Sequence, residues 1–244
     1  MSPFFDDLRL TMVPGVDPKH GPLPPLLVGM TVVTGLVDAF SYLVLGHVFV
    51  ANMTGNVVFL GFALARAPGF SIWASLAALA SFWLGAFIGG ALGSRLGDHR
   101  GRLLAVAISL EAVLIGACTV LVAVSGTPIE AGYRYPLIIV LAIALGNQNA
   151  TARRLAVPDL TTTVLTLTIT GTAADSSIVG GKGSTGVRRS ISVLSMLVGA
   201  LIGALLVVHG MAVVALAIAF AVLVIIGVVV AALSEPDSPW ATHR

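Results

Sequence analysis

Two acidic residues of this sequence, Asp38 and Glu111, lie inside long apolar segments. An ionised carboxylate in the middle of a membrane costs about 3 kcal/mol unless it is paired, hydrated or protonated. We therefore expect Asp38 to accept a proton or cation that is coupled to transport; the alternative is a structural hydrogen bond to Asn149 or Gln148. Glu111 ranks below Asp38 as a functional candidate, because the last apolar segment contains no residue that corresponds to Glu111. We expect Glu111 to pair with a polar group of another span.

A short polar stretch, VANMTGN, follows the segment that contains Asp38. Polar residues occupy every second position where the next helix begins, namely Asn52, Thr54 and Asn56. Between them, Gly55 allows another backbone to approach closely. The free N–H groups at such a helix start are able to bind an anion or a carbonyl group. The alternative is that Asn52 or Thr54 is only the N-cap of the helix.

The second half of the chain contains a comparable set of polar residues. Pro158 and Asp159 are typical of a helix start, with the acid near the positive end of the helix, and three threonines follow. These threonines either line a polar path or bond back to carbonyl groups of their own helix. The candidates for substrate or ion binding in this half are Gln148, Asn149, Asp159, Thr161, Thr162 and Thr163.

The sequence contains no catalytic or metal-binding motif. Its five histidines are scattered, its one cysteine excludes a multi-cysteine metal site, and the glycine-rich run from Gly180 lacks the spacing of a phosphate-binding loop. Thirteen dispersed basic residues against eleven acidic ones do not build a nucleic-acid-binding face. We expect no catalytic residue, metal, cofactor or nucleic-acid partner. The least favoured alternative is a membrane-embedded enzyme in which Asp38 and Asp159 form an acid/base pair.

The composition is that of a membrane protein with several spans. Of 244 residues, 57% are hydrophobic and 10% are charged, and the mean hydropathy is +1.02. Soluble proteins contain about 25% charged residues, and a membrane-spanning helix needs about 20 apolar ones. The segments that look like spans are 25–47, 70–94, 103–124, 136–152, 190–208 and 211–233, and the segments that do not obviously span are 53–65 and 160–174.

The two halves of the chain share local sequence patterns. GAFIGGAL from Gly85 matches GALIGALL from Gly199 at five of eight positions, 114 residues later. MTGNVVFLG from Met53 corresponds to LTTTVLTLT 107 residues later, and Asp38 corresponds to Asn149, 111 residues later. Three matches in the same order favour an internal duplication. The glycine series also predicts that the two glycine-rich helices pack closely against each other.

The distribution of Lys and Arg favours two short segments that do not cross the membrane. Short cytoplasmic loops contain an excess of these residues. If all eight segments cross, the basic residues divide 8 to 5 between the two sides; if the short ones enter and leave on one side, the division is 11 to 2, with Arg66 and Arg134 opposite the termini. Each half then crosses three times, so the second half is inverted. Inverted repeats with interrupted helices are common in secondary transporters.

Two strings of the sequence resemble the YoaK-like family of bacterial membrane proteins. They are GLVDAFSYLVLGHVFVANMTGN from Gly35 and ALGNQNATARRLAVPDLTTTVLTLTITG from Ala144, and the resemblance covers about residues 25–232. It implies a multi-pass protein of the bacterial inner (plasma) membrane. It implies no particular substrate or reaction.

These observations predict an all-α integral membrane protein with about six transmembrane helices and two short interrupted or re-entrant helices, arranged as an internal, inverted repeat. We expect a soluble leader at residues 1–24, one transmembrane domain at 25–233 with halves at 25–124 and 136–233, and a cytoplasmic tail at 234–244. The predicted function is secondary transport of a small molecule or ion, coupled to a proton or cation, across a lipid bilayer with both termini in the cytoplasm. The alternative is a non-catalytic membrane protein that binds a partner or lipid through its glycine-rich faces. Whether the protein forms a homo-oligomer is left open.

Overall fold

The structure, a computed structural model, consists mostly of helices. It describes residues 3–14, 17, 19–126, 128–158, 160, 169–170, 186–234 and 240–241. The helices of this part of the chain are α1 (Pro3–Met12), α2 (Leu23–Val44), α3 (Met53–Leu64), α4 (Ile72–Leu96), α5 (Arg100–Ser125), α6 (Ala131–Leu155), α7 (Gly186–Val208) and α8 (Ala212–Leu233).

Six of these helices, α2 and α4 to α8, are long and apolar enough to cross a membrane. The prediction of an all-α membrane protein with about six spans is therefore confirmed. One boundary differs clearly, because α6 begins at Ala131 rather than at Pro136, and the proline lies inside the helix. Arg134 interrupts the apolar run at this point, so the apolar pattern alone begins later than the helix does. The short segment after α2 forms α3, whereas most of the predicted segment 160–174 lies outside the described residues.

The helices α2 and α6 form the centre of the bundle. In the most apolar 18 residues of α2 and α6, 67% and 61% of the residues are buried inside the protein. The corresponding share in the other four spans is 28% to 33%. α2 packs mainly against α7 and α8, and α6 packs mainly against α4 and α5. The outer helices expose large apolar side chains such as Trp73, Trp83 and Phe87 of α4, which suits a surface in contact with lipid.

Glycines let two pairs of helices approach until their backbones touch. The contacts are Gly199 with Val32 and Gly203 with Leu36 between α7 and α2, and Gly85 with Ile143 and Gly89 with Asn147 between α4 and α6. Because the residue numbers rise together in both helices, each pair is parallel. The prediction that the two glycine-rich helices pack against each other is wrong, since each packs against a central helix. A glycine series indicates a close contact but does not specify the partner.

The helices α5 and α8 are antiparallel. Gly116 of α5 lies against Phe220 of α8, whereas Gly227, further along α8, lies against Ile108, earlier in α5. Since α7 and α8 form a hairpin and α7 is parallel to α2, α5 runs in the same direction as α2. The short connection between α4 and α5 then makes α4 antiparallel to α2. The segment between α2 and α4, which includes α3, therefore returns to the end of the bundle that it left.

The helix α6 is antiparallel to α5, and hence to α2. At the start of α5 the Arg100 guanidinium donates a hydrogen bond to the carbonyl oxygen of Leu155, near the end of α6. The Asn147 side chain of α6 donates to the carbonyl oxygen of Ala107, two turns further along α5, at 3.0 Å. In the direction in which residue numbers rise along α5, they fall along α6.

A buried ionic contact joins the segment before α2 to the start of α7. The Asp17 carboxylate accepts hydrogen bonds from the N–H groups of Lys19 and His20 and forms a 2.6 Å ion pair with Arg188. Burial alone would raise the pKa of Asp17, but these donors together hold that pKa below its ordinary value. The imidazole Nδ1 of His20 lies 3.3 Å from the Arg100 guanidinium, and burial together with the nearby cations lowers the pKa of His20, although Asp17 opposes this effect. The segment before α2 is thus fixed to the helices at this end of the bundle.

We expect Gly85→Ala to destabilise the protein, because the added methyl group would overlap the carbonyl oxygen of Ile143. Overpacking of this kind costs about 1 to 3 kcal/mol. Gly90→Ala, in the same helix, is the matched control, because no atom lies within 4 Å of its added methyl group. Thermal unfolding in detergent should give a lower midpoint for Gly85→Ala than for Gly90→Ala. Equal midpoints would contradict the backbone contact between α4 and α6.

Candidate functional site

The Asp38 carboxylate binds the chain segment that precedes α3. Its Oδ1 atom accepts hydrogen bonds from the backbone N–H groups of Val50 and Ala51, both at 2.9 Å. Its Oδ2 atom accepts one from the Asn52 side-chain amide at 2.7 Å. Asp38 is buried, and it lies six residues before the last residue of α2, or about 9 Å along the helix axis. The chain after α2 therefore turns back to reach Asp38.

This arrangement satisfies backbone groups that have no helical partner. Val50 and Ala51 are buried in a non-helical stretch, and buried N–H groups without an acceptor are costly, above all where lipid excludes water. The sequence predicted that free N–H groups near the start of α3 bind an anion. In the structure the carboxyl group of Asp38 occupies this place. The alternative partners proposed for Asp38, Gln148 and Asn149, have their own contacts elsewhere.

Asn56 binds the same segment from the other side. Its Oδ1 atom accepts a hydrogen bond from the N–H group of Phe49 at 2.9 Å, and its Nδ2 atom donates to the carbonyl oxygen of Phe49 at 2.6 Å. Gly55 lies against the Phe49 ring, which itself stacks on Tyr42 with centroids 4.9 Å apart. Thr54 is exposed, and Asn52 occupies the N-cap position without a capping side-chain bond. The polar residues of VANMTGN are therefore mainly used to fold the segment itself.

The chain segments just before and just after α3 contact each other at the end of the bundle. The imidazole Nδ1 of His47, just after α2, lies 3.1 Å from the carbonyl oxygen of Gly69, just before α4. The carbonyl groups of Leu45 and Gly46 at the end of α2 accept hydrogen bonds from Arg134 at 2.5 and 3.3 Å. The segment therefore leaves the end of the bundle, turns inward to Asp38 and returns through α3 to its starting point. We call residues 45–69 the re-entrant segment because this course begins and ends at the same end of the bundle; that residues 53–65 do not cross the membrane stays a prediction.

A second polar contact joins the two central helices. The Gln148 side-chain amide of α6 donates to the hydroxyl of Thr34 in α2 at 2.8 Å, with a longer contact of 3.4 Å to the carbonyl oxygen of Met30. Thr34 lies one turn before Asp38 on the same helix. The half-buried Asn149 instead donates to the carbonyl oxygen of Leu145, one turn earlier in its own helix, at 2.9 Å.

The structure thus brings together some of the predicted site residues. Asp38 and Asn56 bind the segment before α3, to which Asn52 belongs. Gln148 binds Thr34, which lies one turn before Asp38 on α2. Asp159, Thr161, Thr162 and Thr163 lie outside the described residues. Across the described ranges no three His, Cys, Asp or Glu side chains are grouped as metal ligands would be.

Sequence reasoning missed two buried polar residues of α6, Asn147 and Thr151. Both are fully buried, and the amide oxygen of Asn147 and the hydroxyl of Thr151 have no hydrogen-bond partner. The spacing of Asn147, Thr151 and Leu155 at intervals of four residues was available in the sequence and places them on one helix face. Glu111, which the sequence predicted to pair with a polar group of another span, is also fully buried, and its carboxylate oxygens have no hydrogen-bond partner among the described residues.

Comparison with known proteins identifies the family. The family model described as "Protein of unknown function (DUF1275)" matches residues 26–229. The chain belongs to this family. One curated relative is the UPF0700 transmembrane protein YoaK of Bacillus subtilis, which is 33% identical to this chain over 161 residues. The aligned part is 62% of this chain and 66% of the relative. The chain thus aligns with slightly less than two thirds of the length of that relative, and the predicted resemblance to YoaK-like proteins is confirmed. No solved structure matches the chain significantly.

We expect Asp38→Ala to destabilise the protein, because it leaves the N–H groups of Val50 and Ala51 and the Asn52 amide without an acceptor. Each buried unsatisfied group costs about 1 to 3 kcal/mol. Asp38→Asn retains one acceptor oxygen and should lie between Asp38→Ala and the wild type in its midpoint of thermal unfolding. Ser94→Ala, at an exposed position, is the control. A wild-type midpoint for Asp38→Ala would show that the re-entrant segment does not depend on this carboxylate.

Proposed function

We propose that this protein is a secondary transporter of a small molecule or ion, built from two inverted halves and coupled to a proton or cation. The observation that supports the proposal most directly is that helix contacts of one half recur in the other at equivalent positions. Such inverted repeats alternate access by moving one part of the protein against another around a site near the midplane.

The backbone contacts in the two parallel helix pairs correspond residue by residue. Val32 and Leu36 of α2 are 111 positions before their counterparts in α6, and the glycines of α7 are 114 positions after those of α4. These are the offsets at which the sequence patterns match. In addition, each buried residue of α8 has a buried counterpart in α5, 108 positions earlier. Two sets of backbone contacts and one set of buried positions thus recur at fixed offsets, which supports an internal duplication.

The helix directions support an inverted rather than a parallel repeat. α2 and α6, which begin the two halves, run in opposite directions, and so do α5 and α8, which end them. An odd number of crossings in each half produces this result, and the re-entrant course of the segment around α3 supplies the odd number in the first half.

In this proposal the substrate passes between the central helices α2 and α6. These helices are the most buried spans, yet they make little direct contact with each other. The polar groups beside this interface are the Gln148–Thr34 pair and the re-entrant segment at Asn52. Asp38 then fixes the segment that lines the path, because its oxygens are already bonded to three donors.

We further propose that the end of the bundle with both termini faces the cytoplasm of a bacterial cell, with the protein in the inner membrane. The basic residues described at this end are Arg9, Lys19, Arg95, Arg100, Arg102, Arg153, Arg154, Arg188 and Arg189, against Arg66 and Arg134 at the other end. Short cytoplasmic loops contain such an excess.

The alternative functions receive less support. A module that binds a partner through its glycine-rich faces would need those faces to be free, whereas the glycines of α4 and α7 that touch α6 and α2 are covered within the chain. An enzyme with Asp38 as an acid or base would need one of its oxygens to reach a substrate or water, whereas both are hydrogen-bonded to the re-entrant segment.

The inverted topology predicts opposite thiol accessibility for two loops. On a Cys118→Ser background, a cysteine at Ala67, between α3 and α4, should react with a membrane-impermeant maleimide added outside cells. A cysteine at Ser184, before α7, should react only after the membrane is opened. If both cysteines react from the same side, the two halves are not inverted.

Transport is tested in proteoliposomes loaded with a pH-sensitive dye. Amino acids, sugars, carboxylates, nucleobases and amines are added as separate panels, and at least one panel should change the internal pH when wild-type protein is present. Gln148→Leu should weaken this response, because it removes the polar contact beside the proposed path, and Ser94→Ala should retain it. If no panel gives uptake or a pH change above protein-free liposomes, the transporter proposal is wrong.

A further inference from the structure

We propose that Glu111 binds the coupling proton of this protein, with the amide oxygen of Asn147 as the acceptor for that proton's hydrogen bond. The role in coupling rests on the transport function proposed above. The binding of the proton itself does not, and it can be measured without a substrate.

Glu111 lies in the middle of α5 and is fully buried, and neither of its carboxylate oxygens has a hydrogen-bond partner. This differs from Asp38, whose carboxylate accepts three hydrogen bonds. A buried carboxylate without donors is costly, whereas a neutral carboxylic acid also supplies an O–H donor and needs an acceptor. The environment of Glu111 therefore suits the protonated acid.

Asn147 supplies such an acceptor on the adjacent helix. Its Nδ2 atom donates to the carbonyl oxygen of Ala107, one turn before Glu111 in α5. Only the NH₂ group of the amide is able to donate to a carbonyl, so this bond fixes the amide orientation and leaves Oδ1 as the group without a partner. Side chains of a helix slope toward its N-terminus, so the Glu111 carboxyl group extends over the turn that contains Ala107. Both unpartnered groups therefore belong to the same layer of the α5–α6 interface.

Within the described residues, no helix packed against α5 has a charged group near its middle that would neutralise Glu111. α8 contains no titratable residue, and α4 contains only Arg95, in its last turn. On α5 itself, Arg100 and Arg102 lie at the start and Cys118 lies two turns beyond Glu111. The titratable residues of α6 lie near its two ends and are Tyr133, Arg134, Tyr135, Arg153 and Arg154. A proton is thus the simplest partner that removes the charge of Glu111.

A row of polar groups connects this site with the end of the bundle that contains both termini. Thr151 follows Asn147 by one turn on α6, and its hydroxyl has no hydrogen-bond partner. One turn further, Leu155 accepts a hydrogen bond from Arg100, whose Nε atom also has no partner. These groups follow the α5–α6 interface for about 12 Å, from Asn147 to Leu155. They mark the route by which a proton would reach Glu111 from that end.

The position equivalent to Glu111 in α8 is Ala219, 108 residues later. Both positions are buried. The proposed repeat therefore matches the helix framework but not the acid.

The test is infrared spectroscopy of the purified protein in lipid, with pH as the variable. Wild-type protein should show the carbonyl stretching band of a protonated carboxylic acid at neutral pH, and the band should disappear as the pH is raised. Glu111→Gln should lack the band. Glu130→Gln, an exposed glutamate at the start of α6, is the matched control and should retain it. Asn147→Leu should shift the band, because it removes the proposed acceptor.

The outcomes separate this proposal from the transport function. A band that persists in Glu111→Gln, or that Na⁺ removes at constant pH, would overturn the assignment of a proton site. If Glu111→Gln does not fold, an unshifted band in Asn147→Leu would overturn it instead.

A band that behaves as expected in a protein that transports no compound supports the proton site and rejects the transporter. Where transport is observed, the substrate-driven pH change should be lost in Glu111→Gln, and an undiminished change would reject coupling through this residue.

Discussion

Backbone N–H and carbonyl groups inside a membrane protein need partners within the protein, and the arrangement around α3 depends on this requirement. Eight residues between α2 and α3 are not helical, and part of this stretch is buried. Asp38 and Asn56 bind its N–H groups, and Arg134 binds carbonyl groups at the end of α2. The chain is able to turn back toward Asp38 before α3 because these side chains replace the hydrogen bonds that a continuous helix would have made.

Glycine determines how the rest of the bundle is assembled. Where α7 meets α2 and α4 meets α6, the absence of a side chain brings backbone against backbone, and each central helix is covered by a parallel neighbour. These contacts are close but contain few interlocking side chains. Van der Waals packing of this kind stabilises helix association in lipid, where burial of apolar surface gives little driving force.

The two acids inside the described spanning helices, Asp38 and Glu111, show how the surroundings of a residue decide its chemistry. Asp38 faces donors, namely two backbone N–H groups and an amide, which favour an ionised carboxylate with a structural task. Glu111 is fully buried, and its oxygens have no hydrogen-bond partner among the described residues, which leaves a charged carboxylate without compensation. The sequence ranks Asp38 above Glu111 because the last apolar segment has no counterpart of Glu111. We propose the reverse order for proton binding, because Val50, Ala51 and Asn52 already donate to Asp38.

The sequence by itself determined the class of protein, the six spans, the short segment after α2 and the family, because each of these depends on local composition or on motifs. It also indicated where helices approach closely, through the glycines of α4 and α7. Only the tertiary structure decided which helices those glycines contact, that Asp38 binds Val50 and Ala51 rather than Gln148 or Asn149, and that Glu111 has no partner. Such partners lie far apart in the sequence: 118 residues separate Gln148 from Met30, and 171 separate Arg188 from Asp17. The distance between two side chains depends on the directions and crossing of whole helices, which no local pattern specifies.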